Sequence, residues 1–281
     1  GPARKSWLAS PLPLTWRIHR SSFPFLRETP QPRPSLKKPC YINRIEILLN
    51  RVSMFKTIFV HGMAANAESW NGVEKDTTIN ALSNVNAVTL QGHSDPWFSS
   101  FDLSNDQHKP QITMDEYVAS VVNQFPSPAG SDDVVLVGHS MGGFVISEIA
   151  VRHPNRVRAL IYIAAMLPSN GDSISSLANG FGTTPWDVIN EFKAYPSALS
   201  ALVKQPEGPM AFNFTPNSQF DAIPKTYIFT AKDRIIPPAS QRRMTSLASS
   251  LKEINMSTGH LPQFEDKNTL SNLLSQSISR L

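Results

Sequence analysis

A strand, a glycine-flanked turn and a helix follow one another in the middle of the chain, and this succession constrains the fold more than any other feature. Asp133–Val137 (DVVLV) predicts a buried strand, and Gly142–Arg152 has the spacing of a helix. Between them stands Gly138-His139-Ser140-Met141-Gly142, a G-x-S-x-G sequence. In this setting the motif is typical of a sharp turn that presents a serine nucleophile above a parallel sheet.

The spacing of this motif has a physical reason. A turn this tight holds its serine in a strained backbone conformation, and bulky flanking residues would collide with the strand and the helix. Ser140 would also lie at a helix N-terminus, where free N–H groups and the helix dipole favour negative charge. We therefore predict that Ser140 is a nucleophile, the alternative being a serine in an ordinary glycine turn.

The rest of the chain from Met54 onward alternates apolar strands with helices. Continuous apolar strands between helices predict a mostly parallel sheet covered on both faces, which is an α/β fold. The segment 168–223 breaks this alternation and predicts a mainly helical cap inserted between two strands. The predicted strands are 57–60, 85–90, 133–137, 159–164, 226–230 and 251–256, and the predicted helices are 113–125, 142–152, 186–194, 198–203, 241–249 and 268–281.

A serine hydroxyl needs a base, and in this kind of fold the base is a histidine that follows an acidic residue late in the chain. His260 lies between the last predicted strand and the final helix and is our candidate base. His153 ends the helix beside the motif and is interpreted as structural. Asp233, just after the strand 226–230, is the preferred acid that orients the base. Asp172, after the fourth strand, is the alternative.

Two main-chain N–H groups are the candidates for stabilising an oxyanion. One belongs to Met141, the residue after the nucleophile, and the other to Met63, in the loop after the first strand of the body. His61 in that loop is interpreted as a structural hydrogen-bonding residue. The candidate pocket residues come from the inserted segment, and their aromatic character predicts an apolar acyl or alkoxy group. They are Phe181, Trp186, Phe192, Tyr195, Met210, Phe212 and Phe214.

Charge is distributed unevenly along the chain. Residues 1–53 hold ten of the 26 Lys and Arg residues but only two of the 22 acidic ones, so this segment has a net charge of +8 and the remainder −4. We interpret 1–53 as a basic, Pro-rich N-terminal extension outside the catalytic domain, either sequence upstream of a start at Met54 or a transit-like segment. Within it, Tyr41–Ser53 has helical spacing. The mildly acidic body predicts no nucleic-acid partner.

Several short motifs resemble one known group of proteins. VHG at 60–62, LVGHSMGG at 136–143, RHPNRV at 152–157, LIYIAAMLP at 160–168, KDRIIPPASQRRM at 232–244 and GH at 259–260 look like the α/β-hydrolase superfamily. Within it, they resemble the plant methyl esterases, hydroxynitrile lyases and related bacterial arylesterases and pyrethroid hydrolases. The resemblance covers 54–281. It implies a triad of Ser140, Asp233 and His260 with main-chain donors at Met63 and Met141.

Two departures narrow the expected activity. Hydroxynitrile lyases of this group carry a lysine after the catalytic histidine and a threonine after the histidine of the first loop, where this chain has Leu261 and Gly62. Because cyanide needs a cation as it leaves, ester hydrolysis is favoured. We expect a carboxylesterase without metal or cofactor that acts on small to medium apolar esters.

Other readings stay open. Another enzyme using the same triad (a lyase, a C–C bond hydrolase or a perhydrolase) and a small-molecule receptor on this fold are the alternatives. The sequence has no run of 18 or more apolar residues, so it predicts no transmembrane helix. We expect a cytoplasmic monomer or homodimer whose partner is its small-molecule ester substrate.

Overall fold

The computed structural model describes residues 55–95, 111–130, 132–200 and 202–281. The predictions for 1–53, including the helix Tyr41–Ser53, lie outside these residues. Among the described helices, none has both the length and the hydrophobicity that a transmembrane segment requires.

Six strands form one sheet in the order β2-β1-β3-β4-β5-β6, and every neighbouring pair is parallel. The strands are β1 (Lys56–Val60), β2 (Asn84–Val88), β3 (Val134–His139), β4 (Val157–Ile163), β5 (Lys225–Thr230) and β6 (Leu251–Met256). Each predicted strand is present, which confirms the parallel α/β fold. The central strand β3 is buried at every position, as expected of a strand covered on both faces.

Along the chain, the helices lie between these strands and after the last of them. They are α1 (Thr77–Asn80), α2 (Met114–Val122), α3 (Gly142–Arg152), α4 (Ile174–Gly180), α5 (Pro185–Lys193), α6 (Pro196–Ser200), α7 (Ser218–Ala222), α8 (Pro238–Thr245), α9 (Pro262–Glu265) and α10 (Lys267–Ile278). Short 3₁₀ turns occur at Ala67–Trp70, Val73–Lys75, Pro154–Arg156 and Gly208–Ala211. Helices α4 to α7 all lie between β4 and β5, in the segment for which the sequence predicts an insertion.

The sheet separates two apolar cores because successive side chains of a strand point to opposite faces. On β1, Ile58 and Val60 pack with helices α2 and α3, whereas Phe59 packs in a second cluster with Leu270 and Leu274 of α10. Each face of the sheet is thus covered by helices. This packing fixes the carboxyl ends of β3, β5 and β6, from which the site described next is built.

The helix predictions needed correction in two respects. Helix α8 begins at Pro238 and ends at Thr245, earlier than the predicted range 241–249, because the residue that fixes its first turn is a proline. Helices α1, α4, α7 and α9 were not predicted. All four are short, and α4 and α7 each depend on a local cap: the side chain of Ser173 accepts the N–H of Ser176, and that of Asn217 accepts the N–H of Phe220.

Candidate active site

Ser140 follows β3 directly and has a φ of 54°, a left-handed conformation that is strained for a residue with a side chain. Its N–H donates to the carbonyl of Ile163 (3.2 Å), and its own carbonyl accepts the N–H of Met166 (2.9 Å). These bonds to the end of β4 hold the strained turn in place. The helix α3 begins two residues later, so Ser140 lies at a helix N-terminus.

Three glycines around Ser140 are required by close contacts. A Cβ on Gly138 would lie 2.7 Å from the main-chain carbon of Gly142, and one on Gly142 would overlap the carbonyl oxygen of Val60. The third is Gly62 in the loop after β1, where a Cβ would lie 2.9 Å from the Cβ of Ser140. The loop after β1 therefore runs directly beside the serine.

The structure brings Ser140, His260 and Asp233 together from three different strand ends. The Ser140 Oγ lies 3.0 Å from Nε2 of His260, and Nδ1 of the same ring lies 2.9 Å from Oδ2 of Asp233. All three residues are buried. With the proton on Nδ1, the ring donates to the carboxylate and its Nε2 accepts the hydroxyl proton, which is the tautomer a general base needs.

The carboxylate of Asp233 is held on both oxygens. Its Oδ1 accepts the N–H groups of Ile235 and Ile236, each at 2.8 Å. Its Oδ2 accepts the hydroxyl of Thr230 (2.9 Å) and Nε2 of Gln241 (3.1 Å) in addition to His260. Five donors therefore fix the carboxylate, and sequence reasoning missed the contribution of Gln241.

The rival acid is occupied elsewhere. Oδ2 of Asp172 accepts the N–H of Ser169 at 2.8 Å and closes a local turn before α4. His153, interpreted as structural, stands at the C-terminus of α3, where its ring contacts Phe125 edge-on. Of the two candidate acids, Asp233 is the one hydrogen-bonded to His260.

His139, the residue before the nucleophile, also contacts the candidate base. Its Nε2–H donates to the carbonyl of His260 (2.8 Å), and the two rings pack with centroids 4.9 Å apart. Burial lowers the pKa of His139 to about 3, so the ring stays neutral at neutral pH. Sequence reasoning assigned this residue no role, because a variable position of the motif gives no signal for a contact 121 residues away.

The candidate oxyanion donors flank the serine. Met63 lies in the loop beside Ser140, and Met141 is the N-cap residue of α3. Within the described residues, neither main-chain N–H has a hydrogen-bond acceptor.

A buried polar network fixes the loop that carries Met63. Nδ1–H of His61 donates to the carbonyl of Gly62 (2.8 Å), while its Nε2 accepts the N–H of Leu90 (3.0 Å). Burial lowers the pKa of His61 to about 3, which keeps the ring in this neutral form. His61 thus has the hydrogen-bonding contacts that the sequence interpretation gave it.

A second histidine, His93, extends the network and was not singled out from the sequence. Its Nδ1–H donates to the carbonyl of Ala65 (2.8 Å), and its Nε2 accepts the Tyr117 hydroxyl (2.6 Å). Gln205 donates to that same hydroxyl (3.0 Å) and accepts the N–H of Ala64 (2.9 Å). Burial lowers the pKa of His93 to about 4. The loop beside Ser140 is thus held at Gly62, Ala64 and Ala65.

A cavity of about 450 Å³ opens onto Ser140 and His260, and its wall is mostly apolar. One part of the wall comes from the sheet side and the other from α5, α6 and the residue Leu202. The apolar lining residues are Met63, Ala64, Ala65, Val188, Ile189, Phe192, Ala198, Leu199, Leu202, Ile235, Leu261 and Phe264.

The cavity corrects the pocket predicted from sequence. Phe192 lines it, but Phe181, Met210 and Phe212 pack in or against the core below the insertion instead, as does Phe214. Trp186 is 68% exposed, because it lies on the outer side of α5. Tyr195 also lies outside the lining, and its ring is tilted against that of Phe264 with centroids 6.1 Å apart. Composition identified the inserted segment but could not say which side of each helix faces inward.

The comparisons with known proteins agree with this fold. A family model described as "Alpha/beta hydrolase family" matches residues 57–270. The chain belongs to the alpha/beta hydrolase family, and this confirms the resemblance inferred from its motifs.

Among the described residues, no group of three His, Cys, Asp or Glu side chains is arranged to hold a metal ion.

Several individual relatives are esterases or hydrolases. Methylesterase 17 of Arabidopsis thaliana is 21% identical over 254 residues, 77% of this chain and 89% of that protein. A carbendazim hydrolyzing esterase of Nocardioides sp. (strain SG-4G) is 38% identical over 66 residues, 24% of this chain and 27% of that protein. A pyrethroid hydrolase structure from Sphingobium faniae JZ-2 superposes with a TM-score of 0.63 at 19% identity, covering 80% of this chain and 97% of that one.

Proposed function

We propose that the protein is a serine carboxylic-ester hydrolase that acts on small to medium apolar esters through an acyl-enzyme on Ser140. The observation that carries the proposal is the imidazole of His260, bonded on one side to the Ser140 hydroxyl and on the other to the Asp233 carboxylate. This arrangement turns a weakly nucleophilic hydroxyl into one that can attack a carbonyl carbon. The esterases among the relatives support the same reaction class.

The first step is acylation. As Ser140 Oγ attacks the ester carbonyl, its proton passes to Nε2 of His260, and Asp233 stabilises the imidazolium that forms. The N–H groups of Met63 and Met141 would receive the oxyanion. Collapse of the tetrahedral intermediate breaks the bond to the alkoxy oxygen, and Nε2–H gives its proton to the departing alcohol.

The second step is deacylation by the same route. Water enters, His260 takes one of its protons, and the hydroxide oxygen attacks the acyl carbon. The carbon–Oγ bond then breaks, and the proton on Nε2 returns to Oγ of Ser140. The acid product leaves, and the residues have their starting protonation.

The cavity wall supports the substrate class. The lining of the cavity is predominantly apolar, and the cavity is large enough for a short acyl or alkoxy chain. Leu261 occupies the wall position directly after His260, where a cyanohydrin lyase would need a cation. Ester hydrolysis therefore fits better than cyanohydrin cleavage. We also propose that the segment 168–223 is a cap, since its helices α5 and α6 supply one side of this wall.

The proposal is tested with p-nitrophenyl acetate and butyrate, followed by a panel of esters that varies the acyl and alcohol parts separately. The wild-type protein should hydrolyse these esters, and Ser140→Ala should lose the activity, whereas Ser246→Ala, at an exposed serine on the end of α8, should keep it. Hydrolysis that survives in Ser140→Ala would exclude the proposed nucleophile. Absence of hydrolysis across the panel in the wild-type protein would exclude the proposed class.

A further inference from the structure

A carboxylate from the inserted segment is bonded to the main chain of the candidate base. Oε1 of Glu191, on α5, accepts the N–H of His260 at 2.6 Å. The main-chain carbonyl of His260 accepts Nε2–H of His139. Both main-chain groups of His260 are thus held by side chains, one from the sheet and one from the insertion.

The neighbouring residue, Gly259, is shaped to admit this carboxylate. A Cβ built on Gly259 would overlap Oε1 of Glu191, and the three atoms nearest to that position all belong to the Glu191 carboxyl group. The backbone of Gly259 has no positive φ, so its conformation alone would accept alanine. What the glycine provides is room for Glu191.

A second carboxylate completes the loop. Oε2 of Glu265, on α9, accepts the N–H of Gly259 at 2.7 Å. Two successive N–H groups of the loop therefore end on two carboxylates, and charge-assisted bonds of this kind are short and strong.

Helix α5, which carries Glu191, also forms part of the cavity wall. Val188, Ile189 and Phe192 of the same helix line the cavity beside Ser140. One helix therefore both borders the space for the substrate and fixes the main chain of the base. A displacement of α5 would move the imidazole relative to Ser140 Oγ, and misplacement of a catalytic group by about 1 Å can cost about a hundredfold in rate.

We propose that Glu191 is a positioning residue. By accepting the main-chain N–H of His260, it holds the imidazole at hydrogen-bonding distance from Ser140 Oγ. The inference rests on the proposed function, because it assigns Glu191 to the same reaction. Its role depends on an acceptor oxygen at Oε1, and glutamine supplies that oxygen without the charge.

The test compares Glu191→Ala, Glu191→Gln and Gly259→Ala with p-nitrophenyl acetate, whose acetyl group is too short to depend on the far wall of the cavity. Glu191→Ala should lower kcat about tenfold to a hundredfold, because the N–H of His260 loses its acceptor and the imidazole can shift relative to Ser140 Oγ, with KM within about twofold. Glu191→Gln should stay within about threefold of wild type. Asn190→Ala, at an exposed neighbour on α5, is the matched control and should not change kcat.

Gly259→Ala provides an independent measurement. Its added Cβ should expel the Glu191 carboxylate and lower kcat as much as Glu191→Ala does. The double variant should be no slower than Glu191→Ala alone, because the clash partner is already gone. This non-additivity distinguishes a lost contact from general loosening of the loop.

The outcomes separate this inference from the proposed function. Wild-type kcat in Glu191→Ala, alongside an inactive Ser140→Ala, would overturn the positioning role and leave the hydrolase proposal standing. A Glu191→Gln variant as slow as Glu191→Ala would also overturn it, since an acceptor at Oε1 would then be insufficient. Full activity in Ser140→Ala would instead remove the proposed function itself.

Discussion

The proposed catalytic groups and the cavity wall come from two regions that are built differently. The sheet supplies Ser140, Asp233 and His260 from the ends of strands, and β3 is buried throughout. The insertion supplies α5, where Val188 and Ile189 line the cavity yet remain 36% and 40% exposed. The proposed chemistry thus depends on groups at buried strand ends, whereas the proposed selectivity depends on a helix whose lining residues remain partly exposed. Substitutions at the strand ends should therefore affect rate, and substitutions at the residues of α5 that line the cavity should affect substrate preference.

The largest expected effect contrasts the two candidate acids, one from each region. Asp233→Asn should lower kcat about a thousandfold to ten-thousandfold, because the amide would favour the wrong tautomer of His260. Asp172→Asn, in the insertion, should stay within about threefold. The measurement is steady-state hydrolysis of p-nitrophenyl acetate by both variants. Equal losses would contradict the assignment of the acid to the sheet region.

Next in size is the effect of adding one methyl group beside the serine. In Gly62→Ala the new Cβ would lie 2.9 Å from Ser140 Cβ and 3.3 Å from Nδ1 of His139. The loop that carries Met63 must then shift, and we expect kcat to fall about a hundredfold. In the insertion, Gly180→Ala meets only an arginine nitrogen at 3.5 Å and should leave kcat within about twofold. A Gly62→Ala variant with full activity would show that this loop has no part in the reaction.

A smaller effect is expected in substrate preference. Phe192→Ala should lower kcat/KM for butyrate relative to acetate esters about tenfold, since the acyl chain loses apolar contact. Trp186→Ala, on the exposed side of the same helix, should keep the wild-type ratio. The measurement is the ratio of kcat/KM for the two p-nitrophenyl esters. If Trp186→Ala changed the ratio and Phe192→Ala did not, the cavity would not be the acyl site.

The two regions also differ in how much of them could be predicted from the sequence. Strong local signals marked the sheet region, because apolar runs and the motif around Ser140 depend on neighbours in the chain. The order of strands, serine, acid and histidine then located Asp233 and His260. Six of the seven predicted pocket residues lie elsewhere than in the cavity wall, namely Phe181, Trp186, Tyr195, Met210, Phe212 and Phe214.

The wrong predictions of pocket residues have a common physical cause. An aromatic residue in a short helix buries equally well under the helix or over a cavity, and only tertiary packing decides which. The contacts of Glu191, Gln241 and Gln205 were also missed, since each joins segments that are distant in the chain or depends on a single side-chain orientation. Polar residues of this kind have no periodicity that would mark them as buried.

A separate expected effect concerns the stability of the fold against pH. His61, His93 and His139 are neutral in the folded state because burial lowers their pKa values to between about 3 and about 4. In the unfolded chain they titrate near about 6.5. Below that pH the unfolded state binds more protons, so the free energy of unfolding should fall as pH drops from 6.5 toward 4, by about 1.4 kcal/mol per pH unit for each histidine.

Urea unfolding at pH 7.5, 6.0 and 5.0 measures this loss. All three histidines lie beside the sheet, and the segment 168–223 contains none. Hydrogen exchange at pH 5.0 should therefore show weaker protection in β3 without a matching histidine-linked change in α5. A free energy of unfolding that stays constant from pH 7.5 to 5.0 would contradict the neutral, buried state of these rings.

The most direct test of the central proposal is covalent capture of the nucleophile. The protein is incubated with a p-nitrophenyl alkylphosphonate, and the modified peptide is located by mass spectrometry. We expect one phosphonyl group per chain, bound to Ser140, with loss of ester hydrolysis in proportion to labelling and no labelling of Ser140→Ala. A protein that hydrolyses esters while Ser140 stays unmodified, or that is labelled only at another residue, would contradict the proposed mechanism.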